Sequence, residues 1–121
     1  DALKDLVTMV LPDGTPVAVG SGYGETARVW DLTNGELRHV LAGHTDWAGV
    51  EAALLLPDGT PVAITIGLDA TARLWDLTNG HQLAVQPTPC PVNALCTLGT
   101  SIIMGFDRDV ACFDIETGPA P

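Results

Sequence analysis

Few residues in this chain have the type and spacing that chemistry requires. The three cysteines, Cys90, Cys96 and Cys112, fall in the last third of the sequence and lack the CxxC spacing of metal and redox sites. Buried free thiols are the favoured interpretation, and a reactive thiol is the alternative. The acidic residues lack the dense alternation of a calcium-binding loop, and the glycine-containing segment 21–25 lacks the helix and lysine of a phosphate-binding loop. We therefore predict no catalytic set, no metal site and no cofactor.

The charge balance excludes two further classes of partner. Lys and Arg number 5 against 15 Asp and Glu, which gives a formal net charge of −10 over 121 residues. Such a chain repels phosphate backbones and anionic membrane surfaces, so we expect neither nucleic acid nor a membrane as partner. No apolar run approaches the roughly 18–20 residues of a membrane-spanning helix. Because the first ten residues also lack the pattern of a signal peptide, we expect a cytoplasmic protein.

The chain is built from repeats, and these must position any functional residue. Residues 11–35 return almost unchanged as residues 56–80, a match that is too long for chance. Within each copy, short apolar runs rich in Val, Ile, Leu and Ala alternate with turn residues about every ten positions. This spacing predicts four antiparallel strands per copy, with a hairpin turn at Pro12-Asp13-Gly14.

A third copy is shorter and degenerate. A constant offset of 38 aligns Trp75 with Phe113 and Gly80 with Gly118. Only three residues follow that last glycine, so we predict that this copy lacks its fourth strand. The edge left open could accept a strand from a peptide or a neighbouring chain. The predicted units are residues 1–43, 44–88 and 89–121, the last being incomplete.

The repeats resemble the WD-repeat β-propeller family. The Trp-Asp dipeptides at residues 30–31 and 75–76 match the family's signature dipeptide, and Gly43-His44 matches the Gly-His element ahead of a blade. The resemblance covers nearly the whole chain and is strong in two repeats of three. It implies an all-β fold of three four-stranded antiparallel blades, the last without its outer strand. Such a fold is closed only by oligomerisation or by blades that this chain does not contain.

The resemblance also implies a hydrogen-bonded network in the middle blade. In the family, a histidine, a hydroxyl residue, an aspartate and the tryptophan bond to one another, and the matching positions are His44, Thr65, Asp69 and Trp75. We favour a structural network in which each buried polar group is satisfied. A nucleophilic His-Thr-Asp triad is the weak alternative. The outer blades lack the histidine, so we expect them to be less stable than the middle blade.

Partner binding in the family uses loops around the narrower end of the channel. Exposed Trp, Tyr and Arg side chains are frequent anchors of protein interfaces. Trp47 is the most informative loop residue, because its indole stands where no strand requires it in a chain with only 5% aromatic residues. The alternative is that Trp47 packs onto the neighbouring blade. The predicted partner-binding loop residues are Tyr23, Asp46, Trp47, Leu68, Phe106 and Arg108.

Three blades leave two apolar faces uncovered, whereas propellers typically close with about four to eight blades. We expect identical chains to join head to tail, so that the first blade of one packs on the third blade of the next. Such contacts form a ring when the rotation closes, here a dimer of six blades or a trimer of nine. The residues predicted for these oligomer faces are Val7, Met9, Val17, Val19, Ile102, Met104 and Val110.

These expectations favour a non-catalytic scaffold for protein–protein interaction, built of WD repeats. It would assemble with itself into a closed propeller ring and bind an unknown protein or peptide. The alternative is a fragment of a regulatory or sensing propeller domain of a larger signalling protein or enzyme. A hydrolase that uses His44 is the weakest hypothesis.

Overall fold

The chain folds as three antiparallel β-sheets, and the described residues contain no helix. The structure, a computed structural model, describes residues 5–21, 24–89, 92, 94–98, 101–105, 110–114 and 118–119. The prediction of an all-β fold made of propeller-like blades is confirmed, and the three blades do not close a ring. Within the same residues no helix is long and apolar enough to cross a membrane.

Each blade pairs its four strands in chain order. Blade one consists of β1 (Asp5–Val10), β2 (Pro16–Ser21), β3 (Thr26–Asp31) and β4 (Leu37–Ala42). Blade two consists of β5 (Ala48–Leu55), β6 (Pro61–Gly67), β7 (Thr71–Asp76) and β8 (Gln82–Pro87). Blade three consists of β9 (Ala94–Leu98), β10 (Ser101–Gly105), β11 (Val110–Asp114) and β12 (Gly118–Pro119).

The repeated Pro-Asp-Gly sequence makes the hairpin between the first two strands. The Gly14 N–H donates to the Leu11 carbonyl at 2.8 Å, and the Thr15 N–H donates to Asp13 Oδ1 at 2.9 Å. Gly14 has φ of 91°, a left-handed conformation that costs glycine no Cβ clash. Blade two repeats the turn at residues 56–60 with the same φ at its glycine. The near-identical sequences thus give the same chain reversal for the same local reason.

The prediction that blade three lacks a fourth strand is wrong. The two-residue strand β12 pairs with β11, with Pro119 opposite Phe113 and Gly118 opposite Asp114. Only three residues follow Gly118 in the sequence, but two extended residues are enough to continue the ladder. Because Pro119 has no N–H, this outer strand can supply few of the hydrogen bonds of a full strand.

The blades stack in chain order around two apolar clusters. The larger cluster joins one face of blade one to one face of blade two, and the smaller joins the other face of blade two to blade three. The larger contains Leu11, Val17, Val19, Ala27, Val29 and Leu41 of blade one with Val50, Ala63, Trp75 and Leu77 of blade two. The smaller contains Ala72, Val92 and Met104, with Ile66, Leu95 and Ile102 packed against them.

This stacking corrects six of the seven predicted oligomer-face residues. Val17 and Val19 are fully buried against blade two, and Val7 and Met9 pack on the same cluster. In blade three, Met104 and Ile102 likewise pack in the cluster shared with blade two. The reason is the two-residue period of a strand: apolar residues occupy both faces of these strands, so the sequence alone could not say which set faces outwards. The seventh residue, Val110, is 72% exposed.

Candidate functional site

The four polar network residues of blade two come together at its junction with blade one. The Trp75 indole Nε1–H donates to Thr65 Oγ1 at 2.8 Å, and Thr65 Oγ1 lies 2.7 Å from His44 Nε2. The other ring nitrogen, Nδ1, lies 3.1 Å from each carboxylate oxygen of Asp69. The four residues therefore form one continuous chain of hydrogen bonds from an indole to a carboxylate.

The donors and acceptors in this chain agree with a single tautomer of His44. Thr65 accepts the indole proton, so its own hydroxyl proton is available for His44 Nε2. His44 then carries its proton on Nδ1 and donates it to Asp69. In this arrangement the imidazole is neutral and both of its nitrogens are satisfied.

The Asp69 carboxylate also accepts hydrogen bonds from residues that the sequence did not predict for the site. It accepts from the Thr71 hydroxyl at 2.7 Å and from the Thr45 backbone N–H at 3.0 Å. A guanidinium nitrogen of Arg73 lies 3.7 Å from it. A signal for Thr71 was available, because a threonine two residues after an aspartate commonly closes a local turn. Arg73 carried no such signal, since the same Thr-Ala-Arg sequence also occurs in blade one, at residues 26–28.

The ionisation of the site follows from burial and these donors. Burial lowers the pKa of His44 by disfavouring the imidazolium, although the Asp69 carboxylate opposes this effect. For Asp69, burial alone would raise the pKa, but hydrogen bonds from Thr71, Thr45 and His44 outweigh it and lower the pKa to about 2. A neutral histidine beside an ionised aspartate is the resulting state at neutral pH.

The arrangement is better suited to joining strands than to attacking a substrate. Within the described residues, the hydroxyl that bonds His44 Nε2 belongs to Thr65, which is fully buried and also accepts a hydrogen bond from the Trp75 indole. A nucleophile must reach a reacting atom, and this oxygen faces protein on all sides. The chain of bonds links β6 and β7 to the loop that precedes β5, so it fixes that loop to the blade.

Close backbone approach makes the site possible. A Cβ on Gly67 would collide with Asp69 Oδ1 and His44 Nδ1, so only glycine leaves room for the ring and the carboxylate at this position. Gly43 has a similar role, since a Cβ there would lie 2.9 Å from an Arg73 guanidinium nitrogen and 3.0 Å from the Trp75 ring. The Gly-His pair of the sequence thus supplies both the ring and the space beside it.

The described residues of blade one form no such network. Gly20 is the blade-one equivalent of Thr65, 45 positions earlier in the sequence, and it has no hydroxyl. The strand register is the same, because Trp30 pairs with Ala18 as Trp75 pairs with Ala63. In blade three, Ile102 pairs with Phe113, which places Met104 at the register position of Thr65. Among the described residues, the bonded set is confined to the middle blade.

A second feature, the Trp47–Leu68 surface, lies beside the network. Trp47 is 49% exposed and Leu68 is 54% exposed, and the Leu68 N–H donates to the Trp47 carbonyl at 2.9 Å. Asp46 Oδ1 accepts from the Trp47 N–H at 2.8 Å, and the next N–H, that of Ala48, donates to the carbonyl of Gly24 in blade one. The two apolar side chains therefore lie on two adjacent loops, one before β5 and one after β6, which a backbone hydrogen bond joins.

The remaining predicted residues divide into two groups. Asp46 is exposed next to Trp47. Tyr23, Phe106 and Arg108 lie outside the described residues. No group of three or more His, Cys, Asp or Glu side chains within the described part of the chain is placed to hold a metal ion.

Comparison of the chain with protein-family models found no matching family, and comparison with curated proteins found no match.

Proposed function

We propose that this chain is a WD-repeat segment that acts as a non-catalytic scaffold and assembles head to tail with copies of itself into a closed propeller ring. The observation that carries the proposal is a difference between two equivalent tryptophans. Trp75 is only 2% exposed, because blade one covers it, whereas no blade of the described chain precedes Trp30. A second copy can supply the missing neighbour at that end of the stack.

Ring closure sets the number of copies. Two chains give six blades, within the usual range of about four to eight, and three chains give nine. Both contacts in such a ring are heterologous, so each copy uses two different faces. A dimer of six blades is the smaller closed solution and the one that we favour.

The Trp47–Leu68 surface is the proposed site for a further protein or peptide. It combines a half-exposed indole with an exposed leucine on two loops that a backbone hydrogen bond joins, and large amphipathic side chains on a rigid support are typical interface anchors. Asp46 adds a negative charge beside the indole. We place this binding function in the cytoplasm.

Light scattering coupled to size-exclusion chromatography tests self-assembly. We expect a mass of two or three chains at micromolar concentration, with dissociation on dilution. A single species of 12.6 kDa over the whole concentration range would overturn the ring and favour the alternative, a fragment of a regulatory or sensing propeller in a larger protein.

Selection from a displayed peptide library tests the binding surface separately. Peptides that bind the unaltered chain should lose affinity for Trp47→Ala, while the oligomer mass of that variant stays unchanged. Peptides that bind both chains equally would show that the Trp47–Leu68 surface is not the site.

A further inference from the structure

Blade one carries an apolar face that no blade of the described chain covers. Residues directly opposite on antiparallel strands share a face, so the pairs Leu6–Gly20 and Ala18–Trp30 lie on the same side of the sheet. A Cβ on Gly20 would lie 3.1 Å from both Leu6 Cδ1 and Trp30 Cζ3, so both of these side chains cover the glycine. Leu6 is 55% exposed. We call the apolar side chains Leu6, Val10, Trp30, Leu37 and Val40 the Trp30 face; Arg28, opposite both Gly20 and Val40, lies on the same side of the sheet.

Blade three carries a different uncovered face at the other end of the stack. Ile103 pairs with Cys96 on one side and with Cys112 on the other, so the three residues form one row across β9, β10 and β11. Both cysteines are exposed, and Val110, two residues before Cys112 on the same strand, is exposed as well. We call Cys96, Ile103 and Cys112 the Cys96–Cys112 row. The prediction that the cysteines are buried free thiols is wrong for Cys96 and Cys112, which are exposed. Cys90 lies outside the described residues.

The junction between blades one and two shows how two such faces fit. In blade one, Val19 pairs with Val7 and Val29, and we call this row of aliphatic side chains across three strands the valine row. That row packs against the face of blade two that carries Trp75. One surface of the junction is therefore a row of compact apolar side chains, and the other carries an indole.

The register relates the uncovered faces to this junction. In blade one, Ala18 is the partner of Trp30, and Val19 directly follows it in the sequence. In blade three, Ile102 is the partner of Phe113, and Ile103 directly follows it. The Cys96–Cys112 row therefore occupies in blade three the position that the valine row occupies in blade one. Cysteine is close to valine in size and behaves as a small apolar side chain when it is buried.

We propose that the Cys96–Cys112 row of one copy receives the Trp30 face of the next copy, so that Cys96 and Cys112 are interface residues. This inference rests on the proposed self-assembly and adds to it the two faces and their pairing. The contact would repeat, between chains, the packing of the valine row on the Trp75 face within each chain.

The size of the faces favours a closed ring over an open pair. Strands of about six residues, spaced at about 4.8 Å in a four-stranded sheet, make a face of roughly 20 by 19 Å. One contact then buries about 750 Å² in total, below the roughly 1,000 Å² of a stable interface, whereas the two contacts of a closed dimer bury about 1,500 Å². The second contact is what makes the assembly stable.

Thiol alkylation of the unaltered protein tests the pairing. The chain is treated with N-ethylmaleimide at concentrations above and below the assembly transition, and each cysteine is quantified on its own peptide by mass spectrometry. We expect Cys96 and Cys112 to react at least tenfold more slowly in the oligomer than in the dilute monomer. Protein alkylated while dilute should then fail to assemble on concentration.

The outcomes separate this inference from the proposed function. An oligomer whose Cys96 and Cys112 react as fast as in the monomer would overturn the pairing but leave self-assembly standing, whereas a monomer at every concentration would overturn both. Trp30→Glu gives a second measurement, because it should abolish the oligomer, with Leu83→Glu, at an exposed leucine of the middle blade, as the control that retains it. An oligomer of unchanged mass in Trp30→Glu would also overturn the pairing.

Discussion

Thr65 and Trp75 are joined by a hydrogen bond of 2.8 Å from the indole to the hydroxyl, and the same hydroxyl lies 2.7 Å from His44. In blade one the equivalent pair is Gly20 and Trp30, which offers no hydroxyl. In each of the first two repeats, one residue thus decides whether the tryptophan is fixed by a polar partner or only by packing. The stability of the middle blade should depend strongly on that residue.

Thr65→Val keeps the shape of the side chain and removes the hydroxyl. We expect a loss of about 1–3 kcal/mol in the free energy of unfolding, because the indole N–H and His44 Nε2 both remain buried without a partner. Urea denaturation at fixed protein concentration measures the change. The control Thr65→Ser retains the hydroxyl and should lose less than Thr65→Val; equal losses in the two variants would contradict the importance of the hydrogen bonds.

Gly67→Ala should disrupt the network from the backbone side. The added Cβ would collide with His44 and Asp69, so either the ring or the carboxylate must move and their hydrogen bond must weaken. We expect a loss of at least 1 kcal/mol in stability, typical of overpacking. Gly24→Ala is the matched control, because nothing lies within 4 Å of the Cβ position there. The interpretation fails if the two variants unfold at the same urea concentration.

The sequence predicted much of this site and little of its surroundings. The Asp69 and Trp75 positions follow from local spacing within one repeat, and a repeat of near-identical sequence folds into the same four strands each time. Which face of a strand turns outwards is decided by stacking between blades. For that reason Val17 and Val19 were assigned to the wrong face, and the Trp30 face was not anticipated.

The outer strand of blade three marks another limit of sequence reasoning. Strand β12 has two residues and includes Pro119, a composition that predicts no strand by itself. It forms because β11 offers an unpaired edge beside it. The ladder, and not the intrinsic preference of the two residues, determines their extended conformation.

The protein should lose stability as the pH falls through the range in which histidine titrates. The pKa of His44 is lowered by burial, so below its ordinary value of 6.5 the unfolded chain binds a proton that the folded chain does not. The stabilising contribution is therefore complete above about pH 6.5 and is lost as the pH falls below it. We expect the melting temperature to decrease between pH 7.5 and 5.5. His44→Asn should flatten that slope, and an equally steep slope in this variant would show that His44 does not cause it.

A second loss of stability should follow at acid pH. The pKa of Asp69 is lowered to about 2, so its contribution is present above the ordinary value of 3.8 and disappears as the pH falls towards 2. Glu51 acts in the opposite sense, because burial and the charge of Asp5 raise its pKa. In a Glu51→Gln background the melting temperature should therefore fall more steeply between pH 5 and 2.5. A slope that does not change with Glu51 would contradict this assignment.

Salt should strengthen the proposed assembly. Each copy carries a formal net charge of −10, and this repulsion opposes association over a Debye length of about 10 Å at 0.1 M ionic strength. We expect the dissociation constant, measured by sedimentation equilibrium, to decrease between 0.05 and about 0.5 M NaCl as screening increases. An assembly that is weakened by salt would indicate that attractive ion pairs, and not the apolar faces, hold the copies together.

Ala70 is the one residue other than glycine with positive φ in the described part of the chain, at 59°. It lies in the turn between Asp69 and β7, and its N–H donates to the Gly67 carbonyl at 3.2 Å. A left-handed alanine costs about 1–2 kcal/mol relative to its usual conformations, and glycine avoids most of this cost. Ala70→Gly should therefore raise the free energy of unfolding by about 0.5–1 kcal/mol despite the greater entropy of glycine in the unfolded chain. Ala84→Gly, at an exposed position in β8, should instead lower it by about 0.5–1 kcal/mol. Urea denaturation of both variants measures the difference, and a loss of stability in Ala70→Gly would show that the turn adopts another conformation.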